Sequence, residues 1–271
     1  MKSKILLFII FTFQPLFPAF DYQASTPYQA ALSNSLIAST WGAQVFILNP
    51  SLAVNSQGFA ASLSYTQFYG MKDLRYTAGN ISFPYNAWGL GINLENFGGA
   101  LYQENKVTVA VGRSYYDKRL AVGIAFHWYN LSVKNYSTIN SLGITLGARL
   151  QITPSLFAAG VVENINQPKL NGHPEELPLK MSFGLFYKLS ENMGFHVRLQ
   201  KDRWFKPEVS MGVEYHLMPR LFLFSGYSTM ASIPSGGLRI KSGKLMFDYS
   251  LQYHFQLGTT HFIGIAYAPS S

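Results

Sequence analysis

The 271-residue chain contains no cysteine and few charged residues. Charged residues make up 13% of the sequence, about half the share usual in a soluble domain, whereas 48% are hydrophobic and 15% aromatic. The absence of cysteine excludes a disulfide framework and a lipoprotein anchor. A helical membrane protein needs apolar stretches of about 18 residues, and none occurs after the N-terminus. Composition therefore excludes disorder, a disulfide scaffold and a polytopic helical membrane protein, and it argues against a typical soluble enzyme.

The first nineteen residues have the pattern of an export signal. Lys2 and Lys4 precede an apolar run from Ile5 to Phe13, which is too short to span a bilayer. We expect cleavage near Ala19. The sequence thus predicts a protein that is exported from the cytoplasm.

From Phe59 to the C-terminus, apolar and polar residues alternate with a period of two. The clearest example is a segment near the end of the chain, in which every second residue is apolar or aromatic: Leu245, Phe247, Tyr249, Leu251, Tyr253 and Phe255. The residues between them are polar: Asp248, Ser250, Gln252, His254 and Gln256. This alternation predicts antiparallel strands whose two faces meet different environments.

The second face of these strands is rich in Gly, Ala, Ser and Thr, as in Gly143, Thr145 and Gly147. Small polar residues suit the interior of a closed barrel, and the apolar face then contacts lipid. Short connections alternate with longer ones such as 130–138 and 164–178, as in bacterial barrels. We predict an all-β, antiparallel up-and-down transmembrane β-barrel of about fourteen strands in the outer membrane. A soluble periplasmic β-sandwich is the structural alternative.

The sequence contains no pattern typical of a catalytic or metal site. The six histidines are scattered and lack a His-Glu-x-x-His run or cysteine partners. Asp248 and His254 share a strand face, but six residues of strand separate them by about 20 Å. We therefore predict no enzymatic activity, no cofactor and no metal. Without Lys2 and Lys4 of the predicted signal, 19 of the 21 basic residues remain against 13 acidic ones, and this modest positive excess suits contact with anionic lipids. No basic cluster interleaved with aromatics indicates nucleic-acid binding.

Charged residues on the predicted inner face could select solutes or form pairs that hold a plug in place. The lumen charges that we predict are Glu95, Arg113, Arg149, Lys180, Lys188, Arg198, Glu214, Arg239 and Asp248, together with Asp202 and Glu208.

About thirty residues before the first predicted strand do not alternate. We predict that residues 20–56 form a plug, or hatch, inside a barrel formed by residues 57–268, after a signal peptide of residues 1–19. The segment contains the apolar residues Phe46, Ile47 and Leu48, followed by Asn49 and Pro50. Asn49 is expected to satisfy backbone groups at a turn, and Pro50 to fix its φ.

The stretch Asn49-Pro50-Ser51-Leu52-Ala53, placed just before the first strand, resembles the Asn-Pro-Ala signature of the long-chain fatty-acid transporter family. In length the chain is similar to the smaller relatives grouped as the PorV/PorQ family. The resemblance implies a fourteen-stranded outer-membrane barrel with an N-terminal hatch. Ser51 stands where the family has Ala, and the outer loops are much shorter than those that build the capture site of the fatty-acid transporters.

Two functions follow as expectations. In the first, the protein is a monomer that passes hydrophobic small molecules across the outer membrane, with the ligand held by Phe46, Ile47 and Leu48 and released when the hatch shifts. In the second, which the resemblance to PorV/PorQ implies, it is a type IX secretion accessory, shuttle or anchoring barrel. Its partners would then be secretion-system subunits, and the loop at 164–178 would contribute to docking.

Overall fold

The computed structural model describes residues 19–20, 24–136, 138–170, 176–203 and 205–268, so the predicted signal peptide lies outside the described residues except for Ala19. Within these ranges the chain forms fourteen strands. They are β1 (Ala60–Gln67), β2 (Arg75–Tyr85), β3 (Trp88–Gly98), β4 (Tyr102–Tyr115), β5 (Leu120–Val133), β6 (Ile139–Thr153), β7 (Leu156–Glu163), β8 (Lys180–Lys188), β9 (Met193–Asp202), β10 (Glu208–Met218), β11 (Leu221–Ser228), β12 (Ile233–Ser242), β13 (Leu245–His254) and β14 (Gly258–Tyr267).

Each strand pairs antiparallel with its neighbours in the chain, and β1 pairs with β14 to close the barrel. Ser64 of β1 lies opposite Gly264 of β14 at this closure. The predicted up-and-down barrel of about fourteen strands is therefore confirmed. None of the helices in the described part of the chain is long and apolar enough to cross a membrane.

The outer surface of the barrel is apolar. Phe247, Leu251 and Ile263 point outward and are 48%, 38% and 54% exposed, whereas Asp248 and Ser250 between them are buried inside the barrel. A soluble sandwich has the reverse arrangement, with its large hydrophobic side chains in the interior. If this protein were soluble, its large hydrophobic side chains would face water. A closed barrel whose exterior is apolar is a transmembrane barrel of the kind that bacterial outer membranes contain.

One end of the barrel has only short turns, such as Asn86-Ala87 and Pro154-Ser155, and in bacterial barrels this end faces the periplasm. The other end has the longer connections. The predicted connection at 130–138 is wrong at its start, because β5 continues to Val133. Above the membrane the polarity of the strand inverts, so that Tyr129 and Leu131 point inward and are buried.

An asparagine ladder, formed by Asn96, Asn105, Asn130 and Asn140, crosses the outward face of β3 to β6 near the extracellular end. These four residues lie directly opposite one another in the sheet. Each amide donates to the next, over Nδ2 to Oδ1 distances of 2.7, 3.2 and 2.9 Å. The adjacent outward row toward the periplasm is apolar and consists of Leu94, Val107, Trp128 and Leu142. The ladder therefore marks the outer edge of the apolar band on these strands.

Residues 24–56, which we call the hatch, fold inside the barrel. Helix α1 (Pro27–Ala31) begins after Thr26, whose side chain caps it by accepting a hydrogen bond from Gln29 N, and three 3-10 helices follow: Leu36–Ala38, Ala43–Ile47 and Pro50–Asn55. Short 3-10 turns also occur in two extracellular connections, at Phe68–Gly70, Lys72–Leu74 and Met230–Ser232. Most hatch residues are buried, so this segment supplies the core that the barrel wall surrounds.

Glycines on the inner wall allow the hatch backbone to approach the strands closely. A Cβ added to Gly89 would lie 2.1 Å from the Ala53 carbonyl oxygen, and one added to Gly123 would lie 2.4 Å from the Pro50 carbonyl carbon. Such distances are far below van der Waals contact, so a larger residue would displace the hatch. The small residues of the inner face are thus explained by packing against the hatch.

Candidate functional site: the hatch and its two cavities

Asn49 holds the hatch turn together and ties it to the wall. Its Oδ1 accepts hydrogen bonds from Ser51 N at 3.1 Å and from Ser51 Oγ at 2.8 Å. Its Nδ2 donates to the carbonyl oxygen of Ile37 at 2.7 Å and to that of Ala148 on β6 at 3.4 Å. Pro50 occupies the first turn of the following 3-10 helix, where its missing N–H is no loss. One side chain therefore connects two hatch turns and a barrel strand.

Phe46, Ile47 and Leu48 take different places. Phe46 is buried against Gly91 of β3, where a Cβ would lie 2.6 Å from the ring, and it packs with Ala110 and Ala125. Ile47 and Leu48 face a cavity on the extracellular side of the hatch. Phe46 thus closes the hatch against the wall, and its two neighbours are available to a ligand.

This outer cavity has a volume of about 380 Å³. The hatch contributes the polar residues Ser25, Ser33 and Asn34 and the apolar residues Ile37, Ile47 and Leu48 to its lining. The three apolar residues, with Val161 of β7, form what we call the apolar floor. Charged residues surround the floor toward the extracellular end: Glu95, Lys106, Glu163, Lys180, Arg198, Asp202, Lys206 and Glu208. An apolar floor below a polar rim is an arrangement that binds a small, largely apolar molecule.

A second cavity, of about 230 Å³, lies on the periplasmic side of the hatch. Trp41 and Gln44 of the hatch line it, together with Phe222, Phe224 and other residues near the periplasmic ends of the strands. The hatch residues around this inner cavity differ from those around the outer one. The hatch therefore stands between the two cavities.

Buried polar contacts hold the hatch in this position. The Tyr28 hydroxyl donates to Glu214 Oε2 at 2.7 Å, and Glu214 Oε1 lies 2.9 Å from His196 Nε2. Burial, followed by the Glu214 charge, raises the pKa of Tyr28 well above its ordinary value, so the hydroxyl keeps its proton and donates. The Ser25 hydroxyl donates to Glu95 Oε1 at 2.5 Å.

Arg149 of β6 supplies a further anchor. Its Nη1 donates to the Ser39 carbonyl oxygen at 3.1 Å and to Asn55 Oδ1 at 2.7 Å. These two acceptors lie at opposite ends of the second half of the hatch, so one guanidinium group fixes both.

Most of the predicted lumen charges point into the barrel, namely Glu95, Arg149, Lys180, Lys188, Arg198, Asp202, Glu208, Glu214, Arg239 and Asp248. Arg239 pairs with Asp248 through two hydrogen bonds of 2.6 and 2.7 Å. Glu95 pairs with Lys106 at 3.5 Å, and Arg198 with Glu208 at 3.6 Å. Several of these charges thus form pairs across neighbouring strands.

The predicted position of Arg113 in the lumen is wrong. It lies on the outward face of β4 with Val109 and Val111, whereas Thr108, Ala110 and Gly112 point inward. Its guanidinium carbon lies 4.9 Å from the ring centroid of Trp88 and 5.0 Å from that of Tyr115. The two-residue period of the strand places it outside, and the aromatic rings hold it there.

The sequence did not single out Lys106, Glu163 or Tyr28, although all three take part in the site. Lys106 of β4 and Glu163 of β7 each lie at an inward-facing position of their strand, so the alternation of apolar and polar residues is sufficient to predict them as lumen charges. Tyr28 had no such signal, because its partner Glu214 is 186 residues away in the chain.

No protein-family model matches the chain, and no curated protein matches it by sequence. Solved structures do match its fold. The CymD monoaromatic hydrocarbon channel aligns with a TM-score of 0.74 and 13% identity, over 93% of this chain and 100% of that one. The Ralstonia pickettii toluene transporter TbuX aligns with 0.70 and 12%, also over 93% and 100%. A Pseudomonas aeruginosa FadL homologue aligns with 0.67 and 8%, over 90% and 98%.

The chain therefore shares its fold with FadL-like outer-membrane barrels. At these identities the likeness concerns the fold alone. The narrower relationship to PorV/PorQ and a part in type IX secretion stay predictions.

Proposed function

We propose that this protein passes hydrophobic small molecules across the bacterial outer membrane, with the outer cavity as the entry site and the hatch as the gate. The observation that carries the proposal is the apolar floor of the outer cavity, which the hatch itself provides through Ile37, Ile47 and Leu48. A ligand bound there contacts the element that must shift before the molecule can move toward the inner cavity.

Two further features support this function. The hatch stands between an outer and an inner cavity, as a gate requires. The chain also shares its fold with proteins described as a monoaromatic hydrocarbon channel and a toluene transporter. Transfer of an apolar molecule from water to the apolar floor is favourable by about 25 cal/mol for each Å² of apolar surface that is buried.

The test is uptake of labelled toluene and of a labelled fatty acid by cells that produce the protein. We expect Leu48→Asn to lower uptake about tenfold, because an amide in the apolar floor must lose its hydration when the ligand binds. Leu101→Asn is the matched control, since this leucine is exposed in the turn between β3 and β4 and lies outside the cavity lining. Equal uptake by the wild type and Leu48→Asn would contradict the proposal.

The similarity in length to the PorV/PorQ family suggests a different role, as a type IX secretion accessory. That role needs no ligand path, so it predicts normal secretion by Leu48→Asn and recovery of secretion-system subunits with the purified barrel. Recovery of such subunits, together with no uptake above that of cells without the protein, would favour it over the transport function.

A further inference from the structure

Arg113 lies on the lipid-facing side of the barrel, at the periplasmic edge of the apolar band. On β4 the outward residues between Asn105 of the ladder and Arg113 are Val107, Val109 and Val111. Eight residues of strand measure about 26 Å, which at a tilt of about 40° crosses about 20 Å of membrane. Asn105 and Arg113 therefore stand at the two borders of the hydrocarbon layer.

The charge of Arg113 is unusual for this surface. Among the described strands, the charged residues on the outward face are Arg75, Arg113 and Lys201, and none is acidic. Arg75 and Lys201 lie at the extracellular end, where each donates to a backbone carbonyl, of Gly98 and Phe205 respectively. Arg113 is thus the one outward charge on the periplasmic half of the described strands.

The side chain of Arg113 is positioned but has no anionic partner. Trp88 and Tyr115 hold the guanidinium carbon at 4.9 and 5.0 Å from their ring centroids. Within the described residues no carboxylate lies within ion-pair distance of it. Contact with the two rings holds the group at the barrel surface, and its N–H groups can donate to an anionic ligand there.

The adjacent turn adds positive charge. The connection from β4 to β5 contains Lys118 and Arg119 against Asp117, whereas each of the other five periplasmic turns contains at most one cationic residue. Tyr116 at this turn is 78% exposed, so it extends the aromatic surface toward the lipid headgroups.

We propose that Arg113, Trp88 and Tyr115 form a binding site for the phosphate of an anionic phospholipid in the periplasmic leaflet. The guanidinium group donates two hydrogen bonds to the phosphate oxygens, the rings contact the glycerol and upper acyl carbons, and Lys118 adds long-range attraction. This site is independent of the outer cavity and of transport through it.

Native mass spectrometry of the detergent-purified protein, titrated with phosphatidylglycerol, tests the site. We expect Arg113→Gln to bind one fewer lipid, or to bind it about fivefold more weakly, as the loss of one interfacial cation predicts. Arg113→Lys should retain an intermediate affinity, because it keeps the charge but loses the planar pair of donors. Heat-modifiable gel mobility shows whether each variant is folded.

Arg220→Gln is the matched control, since it removes a periplasmic cation from the turn between β10 and β11. It should bind phosphatidylglycerol like the wild type. Diacylglycerol with the same acyl chains should not bind at this site, because it lacks the phosphate. Unchanged binding by Arg113→Gln, equal losses in both arginine variants, or diacylglycerol binding equal to that of phosphatidylglycerol would each overturn the proposal.

Discussion

Gly147 of β6 directly faces Asn49 of the hatch, and a Cβ added to this glycine would lie 2.1 Å from Asn49 Oδ1. The wall and the Asn-Pro turn are therefore fitted to each other with no space for a side chain. The same carboxamide oxygen receives both hydrogen bonds from Ser51, so any displacement also disturbs the turn.

The fit predicts that Gly147→Val displaces the hatch while the barrel still closes. We expect overpacking to lower the stability of the folded protein by about 1–3 kcal/mol, with the effect concentrated in the hatch. Limited proteolysis should then cleave within residues 24–56 faster than in the wild type. Gly160→Val is the control, because nothing lies within 4 Å of a Cβ at Gly160. Equal cleavage rates in the two variants would contradict the prediction.

A second prediction concerns the side chain of Asn49. Asn49→Asp keeps the shape but replaces the donor Nδ2 by an acceptor, which then faces the carbonyl oxygens of Ile37 and Ala148. We expect the stability of the folded hatch to fall by about 1–3 kcal/mol, because buried acceptors are left without donors. Ligand uptake and hydrogen exchange of the hatch amides both report this change. Asn192→Asp, in an exposed periplasmic turn, should leave both unchanged.

A third prediction concerns the contact between Tyr28 and Glu214. Tyr28→Phe removes the only hydroxyl of α1 that reaches this carboxylate in the described structure, while His196 still contacts its other oxygen. Hydrogen exchange in α1 should speed up by about tenfold, in line with the loss of one hydrogen bond to a charged group. Tyr227→Phe, on the outward face of β11, is the comparison and should exchange like the wild type. An unaltered rate in Tyr28→Phe would show that apolar packing alone holds the helix.

A fourth prediction concerns the buried pair of Arg239 and Asp248. Asp248→Asn should destabilise the barrel by about 3–5 kcal/mol, because it leaves the buried guanidinium group without its counter-charge. The double variant Arg239→Met with Asp248→Leu should recover most of this stability. Both effects are measured by heating samples to a series of temperatures before electrophoresis and recording the temperature at which the folded band disappears. A double variant less stable than Asp248→Asn would show that the pair is required for more than charge compensation.

Strand number and the two faces could be predicted from sequence because lipid imposes one rule on every strand that crosses it. The rule holds only within the apolar band. Above the band, β5 continues with polar residues outward and Leu131 inward, so the alternation inverts and the predicted connection began too early. Arg113 departs from the expectation that the charged residues of the strands point inward, because it shares the outward parity of Val109 and Val111.

The hatch was less predictable. Its position inside the barrel could be predicted from its apolar residues, and the turn at Asn49 and Pro50 from the conformational preferences of these two residue types. Its anchors did not, because Ser25, Tyr28 and Ser39 bind wall residues 70, 186 and 110 positions away in the chain. Such pairs have no local pattern. They depend on how the closed sheet brings distant residues together.

The row of four amides on β3 to β6 also constrains how the barrel assembles. Because each amide bonds to its neighbour, a slip of one strand by two residues would place a carboxamide against hydrocarbon or lift Leu94 or Trp128 into water. Alternation of faces cannot prevent such a slip, since it preserves which side each residue occupies. The row therefore distinguishes the correct alignment of these strands from the nearest wrong ones that keep every side chain on its proper side.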